Sequence, residues 1–109
     1  MYPSPNDLGS APLWENYVVA QAVQASLGLI SDRALALGVR VHGTLVRIII
    51  QLSAATSSGE DDDIEDIRTT LEDLVGPDVT VEMATEVVDH RRVSPHDGVR
   101  WVYLKRLGD

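Results

Sequence analysis

Two histidines and two aspartates occur close together in the polar segment 89–98, which reads D-H-R-R-V-S-P-H-D-G. They are Asp89, His90, His96 and Asp97. Imidazole and carboxylate groups are suitable ligands for a divalent metal ion. The spacing of these four residues matches no zinc motif, however, and Asp97-Gly98 is typical of a turn. We therefore expect a loop here, with His90 and His96 as weak metal candidates, and no cofactor is predicted.

The densest charge lies in residues 57–77, S-S-G-E-D-D-D-I-E-D-I-R-T-T-L-E-D-L-V-G-P, which hold 8 of the 17 acidic residues. Apolar residues recur there at steps of three and four, which predicts a helix with one buried stripe. Its opposite face presents carboxylates that we predict to dock a basic protein partner: Asp62, Asp63, Glu65, Asp66 and Asp73. Such a cluster produces a negative potential that speeds association. The alternative is a solvated face that only keeps the protein in solution.

The sequence contains few signs of catalysis. It has no cysteine, which excludes a thiolate nucleophile and a disulfide. Neither the G-x-S-x-G nucleophile motif nor the G-x-x-x-x-G-K phosphate-binding motif occurs. We therefore expect a non-enzymatic protein-binding module, with an immunity or antitoxin-like role as its most concrete form. The alternative is a small-molecule or metal-dependent enzyme with a site near residues 89–98, where Arg91 and Arg92 form a small basic spot.

Length and composition narrow the class of protein. A chain of 109 residues, 44% of them hydrophobic, suffices for one domain, expected at residues 11–109. Residues 1–10 contain Pro3 and Pro5 and are expected to form a flexible tail. The formal net charge of −8 opposes binding to a phosphate backbone. With no visible signal sequence and no apolar run of roughly 18 residues, we expect a cytoplasmic protein that binds neither nucleic acid nor membrane.

The periodicity of the apolar residues predicts six elements. They are a helix at 13–29, strands at 35–41 and 45–52, the acidic helix at 58–75, and strands at 79–88 and 99–106. This α-β-β-α-β-β order is that of a ferredoxin-like chain whose first strand has moved to the C-terminus. It predicts an α+β two-layer sandwich with both helices on one face of a four-stranded sheet. In the last strand, alternation assigns Trp101 and Tyr103 to one face.

The first predicted helix is apolar on nearly all sides, and Glu15 is its only charged side chain. One stripe comprises Trp14, Val18, Ala22, Ala25 and Leu29. Because a helix of this kind is covered on more than one side, we predict that the protein is a homodimer. The alternative is an ordinary core helix with a wide apolar stripe.

Three segments carry a family resemblance. The helix L-W-E-N-Y-V-V-A-Q-A-V-Q-A-S-L-G-L-I, the hairpin after it and the run D-D-I-E-D-I together resemble a set of small uncharacterised bacterial proteins, mainly actinobacterial. The resemblance covers roughly residues 13–81 and implies no activity or functional residue. In size, acidity and order of elements the chain is also similar, in a generic way, to immunity proteins that neutralise toxins.

Overall fold

Two helices and four strands make up the computed structural model, which describes residues 11–31, 33–55, 58–94 and 97–105. In chain order they are α1 (Ala11–Ser26), β1 (Ala34–His42), β2 (Leu45–Leu52), α2 (Ser58–Val75), β3 (Thr80–Val87) and β4 (Arg100–Leu104). The predicted tail at 1–10 lies outside the described residues. Within the described part of the chain, no helix has the length and apolar character needed to cross a membrane.

The four strands form one mixed sheet in the order β3-β2-β1-β4. The pairs β1/β2 and β1/β4 are antiparallel, whereas β2 and β3 are parallel, with α2 as the crossover between them. The predicted α+β class is confirmed, and the sheet and two helices are consistent with a two-layer sandwich. The permuted ferredoxin-like order is not confirmed, because that fold separates its helix-linked parallel strands by another strand, and here β2 pairs with β3 directly.

The hairpin of β1 and β2 follows the predicted alternation. Leu37 pairs with Ile50 and Val39 with Ile48, and all four side chains are buried in the core between sheet and helices. Gly43 and Thr44 form a two-residue turn, in which Gly43 has a φ of 60°. A positive φ at the first turn position matches the right-handed twist of the strands and favours glycine.

Helix α2 ends where the sequence predicted. Gly76 has a φ of 103°, and its amide donates to the Glu72 carbonyl at 2.9 Å, which is a left-handed helix cap. Ile67 and Leu71 are buried in the core, and each contributes about 1.5–3 kcal/mol of burial free energy. Because this side of α2 is buried, the opposite side faces solvent.

Helix α1 ends earlier than predicted, at Ser26 rather than residue 29. The Ser26 hydroxyl donates to the Val23 carbonyl at 3.0 Å, and Gly28 has a φ of 79°, so the chain leaves the helix in a turn. The predicted stripe is nevertheless buried through Ala25. The Trp14 indole N–H donates to the Gly43 carbonyl at 2.9 Å, which joins the start of α1 to the β1–β2 turn.

The prediction that Trp101 and Tyr103 share a face of β4 is wrong. The pairing of β4 with β1 shifts between Leu37 and Gly38, so Tyr103 lies opposite Leu37 and Trp101 opposite Gly38. Tyr103 packs against the core, whereas Trp101 lies on the other face of the sheet. Gly38 makes this possible, because a Cβ there would stand 2.7 Å from Cε3 of Trp101. The shift is a β-bulge, which redirects side chains within a strand.

Candidate functional site

The outer face of α2 carries a small ion network at its centre. The Arg68 guanidinium donates to both Glu65 and Glu72, one helical turn away on either side. The hydrogen bond from Arg68, together with its positive charge, lowers the pKa of Glu65 below its usual value. Glu65, one of the predicted docking residues, is therefore engaged within the helix. Exposed pairs of this kind add little to stability.

Three other predicted docking residues lie along one side of α2 and form what we call the acidic stripe, defined as Asp62, Asp66 and Asp73. Their positions differ by four and seven, so they follow one side of the helix. All three are exposed, and no ion pair with another described residue engages them. Asp63, the remaining predicted residue, is only half-exposed and lies at the edge of a small cavity beside Ile30 and Ile64. The structure thus gathers three of the five predicted carboxylates into one stripe.

A second polar surface lies on the face of the sheet opposite the helices, which we call the open face. The segment after β3 turns back across it and is held by Gln51 of β2. The Gln51 amide accepts from the Arg92 N–H and donates to the Arg92 carbonyl, both at 2.8 Å. Gln51 is 2% exposed, so these bonds are shielded from water. This residue was missed in the sequence, where its only signal is a polar amide inside the apolar strand β2.

Asp97 organises the other end of this segment. Its carboxylate accepts from the backbone N–H of Val99 at 3.0 Å, from that of Ser94 at 3.0 Å and from the Trp101 indole at 3.1 Å. These hydrogen bonds, led by that from Val99, lower the pKa of Asp97 below its usual value. The Arg40 guanidinium donates to the Asp97 carbonyl oxygen at 2.6 Å. Asp97 therefore fixes the loop end, the indole and Arg40 relative to one another.

Between these two anchors lies a groove of about 240 Å³ on the open face. Ile49, Ala84 and Trp101 supply its apolar surface. Its charged lining consists of Arg40, Arg47, Arg92, Glu86 and Asp97, which is one net positive charge (three minus two). The groove thus has the opposite sign to the whole chain, whose net charge is −8.

The predicted metal residues are not assembled into a site where the structure describes them. His90 is exposed, and the Asp97 carboxylate already accepts hydrogen bonds from three donors. Among the described residues, no group of three or more potential ligands could hold a metal ion. His96 lies outside the described residues.

No protein-family model matches the chain, and none of the curated proteins compared with it is significantly similar.

Proposed function

We propose that this protein is a non-enzymatic binding module of the cytoplasm, whose acidic stripe docks a basic protein partner. The observation that carries the proposal is the alignment of Asp62, Asp66 and Asp73 on one exposed side of α2, with no described ion pair. Three carboxylates without local counterions produce a negative potential that favours and orients a cationic surface. An immunity or antitoxin-like role, in which the partner is a basic toxin, is its most concrete form.

The position of the stripe supports the proposal. Ile67 and Leu71 anchor the inner side of α2 in the core, so the stripe is presented by a helix that does not need to rearrange. A rigid surface loses little conformational freedom when it binds.

The test is capture of partners from a bacterial lysate by the immobilised parent and by the triple variant Asp62→Asn, Asp66→Asn, Asp73→Asn. A matched control neutralises three acids outside α2 and outside the groove: Glu15→Gln, Asp78→Asn and Asp89→Asn. Each variant raises the formal net charge by three. We expect the stripe variant to lose the captured protein and the control variant to keep it.

Salt dependence sharpens the same experiment. Capture by the parent should weaken as salt rises, because the Debye length falls from about 10 Å at 0.1 M to about 3 Å at 1 M. A folded stripe variant that captures the same protein with the same salt dependence would contradict the proposal.

We also propose that the protein is a homodimer, supported by the apolar side chains that α1 and the turn after it leave in solvent. Leu13 and Val23 of α1 are 61% and 41% exposed, and Leu27, just after the helix, is 62% exposed. Val23 and Leu27 border a groove that Val102 and Tyr103 complete. Light scattering at high micromolar concentration should give twice the monomer mass, and the variant Val23→Glu, Leu27→Glu should give the monomer mass. A parent that scatters as a monomer would contradict this proposal.

The alternative function is a small-molecule or metal-dependent enzyme with its site near residues 89–98. The groove on the open face favours ligand binding at that place, since polar groups converge on it from β1, β2 and the loop. Turnover of a small molecule that is abolished by changes around this groove, with the acidic stripe intact, would favour the enzyme over the binding module.

A further inference from the structure

The groove on the open face contains a charge arrangement that the fold by itself does not require. Arg40 of β1 and Arg47 of β2 are directly opposite each other in the antiparallel pair. Like charges at opposite positions repel and destabilise the pairing of the strands. Without a shared anion, repulsion between the two guanidinium groups therefore weakens the pairing of β1 with β2 at this position.

The internal partners of the two arginines relieve this repulsion only in part. Arg47 reaches Glu82 at 3.4 Å in an exposed pair, and such pairs contribute little. Arg40 donates to the backbone carbonyl of Asp97, while the carboxylate of that residue is directed to two backbone amides and the Trp101 indole. A guanidinium has five N–H donors. Each arginine thus retains donors for a further acceptor.

The other end of the groove carries one cation, Arg92, beside the carboxylate of Glu86. The backbone of Arg92 is fixed by the buried Gln51 amide, and the Arg92 side chain is exposed without a described ion pair. Those two charges offset each other, so the net positive charge of the groove comes from the end near the β1–β2 turn, where Arg40 and Arg47 outweigh Asp97. Guanidinium groups bind carboxylates through two parallel hydrogen bonds, which suits them to planar anions.

The surface between the charged ends is apolar and flat. The Trp101 indole lies over Gly38, where a Cβ would approach its Cε3 and Cζ3 atoms to 2.7 and 3.0 Å. Its N–H is fixed by Asp97, so the ring has a defined orientation. Ile49 and Ala84, neighbours across the parallel pair, continue this surface.

We propose that this groove is a binding site for a small carboxylate with a flat apolar body. The carboxylate lies between Arg40 and Arg47, and the body lies against Trp101 and Ile49. The site is separate from the acidic stripe, has the opposite charge and lies on the other side of the molecule. Its existence is therefore independent of the proposed protein partner.

Benzoate is a suitable probe, with benzamide as its neutral analogue of the same shape. The two tryptophan indole N–H signals of the ¹⁵N-labelled parent provide the readout. Trp101 lies in the groove, whereas Trp14 donates to Gly43 beside α1 and serves as the internal control. Benzoate at millimolar concentrations should shift the Trp101 signal in a saturable manner and leave the Trp14 signal in place. Benzamide should shift neither signal.

Substitution of one arginine tests the role of the guanidinium pair. Arg47→Gln should weaken benzoate binding about tenfold, since one bidentate charged partner is lost. Arg47→Lys should bind with an intermediate affinity, because it keeps the charge and loses the planar donor pair. Arg68→Gln on α2 removes the same charge outside the groove and should bind as the parent does.

Three results would overturn the proposal: no saturable shift of Trp101, an equal response to benzamide, or parental affinity in a folded Arg47→Gln variant. Circular dichroism establishes that each variant is folded. Loss of benzoate binding by the Arg47→Gln variant, with capture of a basic protein retained, would support both proposals and assign the two functions to separate surfaces.

Discussion

The acidic stripe and the groove on the open face are both charged surfaces, but they are built in different ways. Asp62, Asp66 and Asp73 belong to one helix, and their carboxylates have no described ion pair. The polar groups around the groove come from three strands and a loop, and Gln51 and Asp97 are hydrogen-bonded to backbone groups. A surface of one helix is determined by local sequence, whereas a groove of this kind is determined by tertiary structure.

This difference predicts how the two surfaces respond to mutation. Changes in the stripe should alter charge and leave the fold intact. Changes in the residues that hold the groove should alter stability and geometry together. The four predictions below test this contrast, from the largest expected effect to the smallest.

The largest contrast lies within α2, between Ile67 and its neighbour Asp66. Ile67→Asp should destabilise the protein by about 3–5 kcal/mol, because Ile67 is 1% exposed and the substitution places an unpaired charge in the core. Asp66→Asn, on the exposed side, should change the free energy of unfolding by no more than about 0.5 kcal/mol. Urea denaturation monitored by circular dichroism measures both values. Equal stability of the two variants would show that the assigned inner face is wrong.

Loss of the Gln51 amide should have the next largest effect. Gln51→Met keeps the approximate size of the side chain but leaves the Arg92 N–H and carbonyl without their partners, at a cost of about 1–3 kcal/mol. Hydrogen exchange at the Arg92 amide should accelerate as the loop leaves the sheet. Gln24→Met, at an exposed position of α1, is the matched control. It should change neither the free energy of unfolding nor the exchange rate of the Arg92 amide. Unchanged exchange at Arg92 would contradict the role of Gln51 as the loop anchor.

Two glycines provide a matched pair for the geometry of the groove. Gly38→Ala places a Cβ 2.3 Å from Cγ1 of Val99 and 2.7 Å from the Trp101 ring, and should destabilise by about 1–3 kcal/mol. Gly59→Ala in α2 meets no atom within 4 Å and should stabilise by up to about 1 kcal/mol. Thermal unfolding followed by tryptophan fluorescence measures the stability of both variants. Destabilisation of the same size at both positions would contradict the close packing of Trp101 on Gly38.

The smallest effect is the dependence of loop stability on pH. The pKa of Asp97 is lowered because its charged form accepts hydrogen bonds from Val99, Ser94 and Trp101. The stabilisation by the Asp97 carboxylate is therefore present above the pKa of the unfolded chain, about 3.9, and is lost as pH falls through the lower pKa of the folded protein. The difference in unfolding free energy between the parent and Asp97→Asn should be largest at neutral pH and should shrink in acid. If the difference in unfolding free energy did not change with pH, the ionised form of Asp97 would not be the one that the loop stabilises.

The sequence predicted the elements better than their arrangement. Strand β2 and the end of α2 were predicted correctly, because alternation along 45–52 and the Gly76 cap are local signals. The face of Trp101 was predicted wrongly, because the bulge arises from the pairing of β4 with β1 and from the space above Gly38. Neither cause is visible within β4 itself.

The two candidate surfaces differ in the same way. The acidic stripe could be predicted from residues 57–77 alone, whereas the position of Arg40 opposite Arg47 depends on the register of the hairpin. Gln51 meets Arg92 only after the chain has passed through α2 and β3. The groove therefore could not be predicted without the sheet order.

The position of β4 beside β1 also dictates an order of folding. The β1–β2 hairpin is closed by a two-residue turn, so its contacts can form early, whereas β4 must return from the far end of the described chain to pair with β1. Contacts between distant segments form late, since the loop that joins them must first be closed. During synthesis, β1 therefore presents an unpaired edge until residues 100–104 have left the ribosome. An open strand edge of this kind is prone to pair with other chains, so interruption of synthesis before β4 should produce aggregating fragments rather than a smaller stable protein.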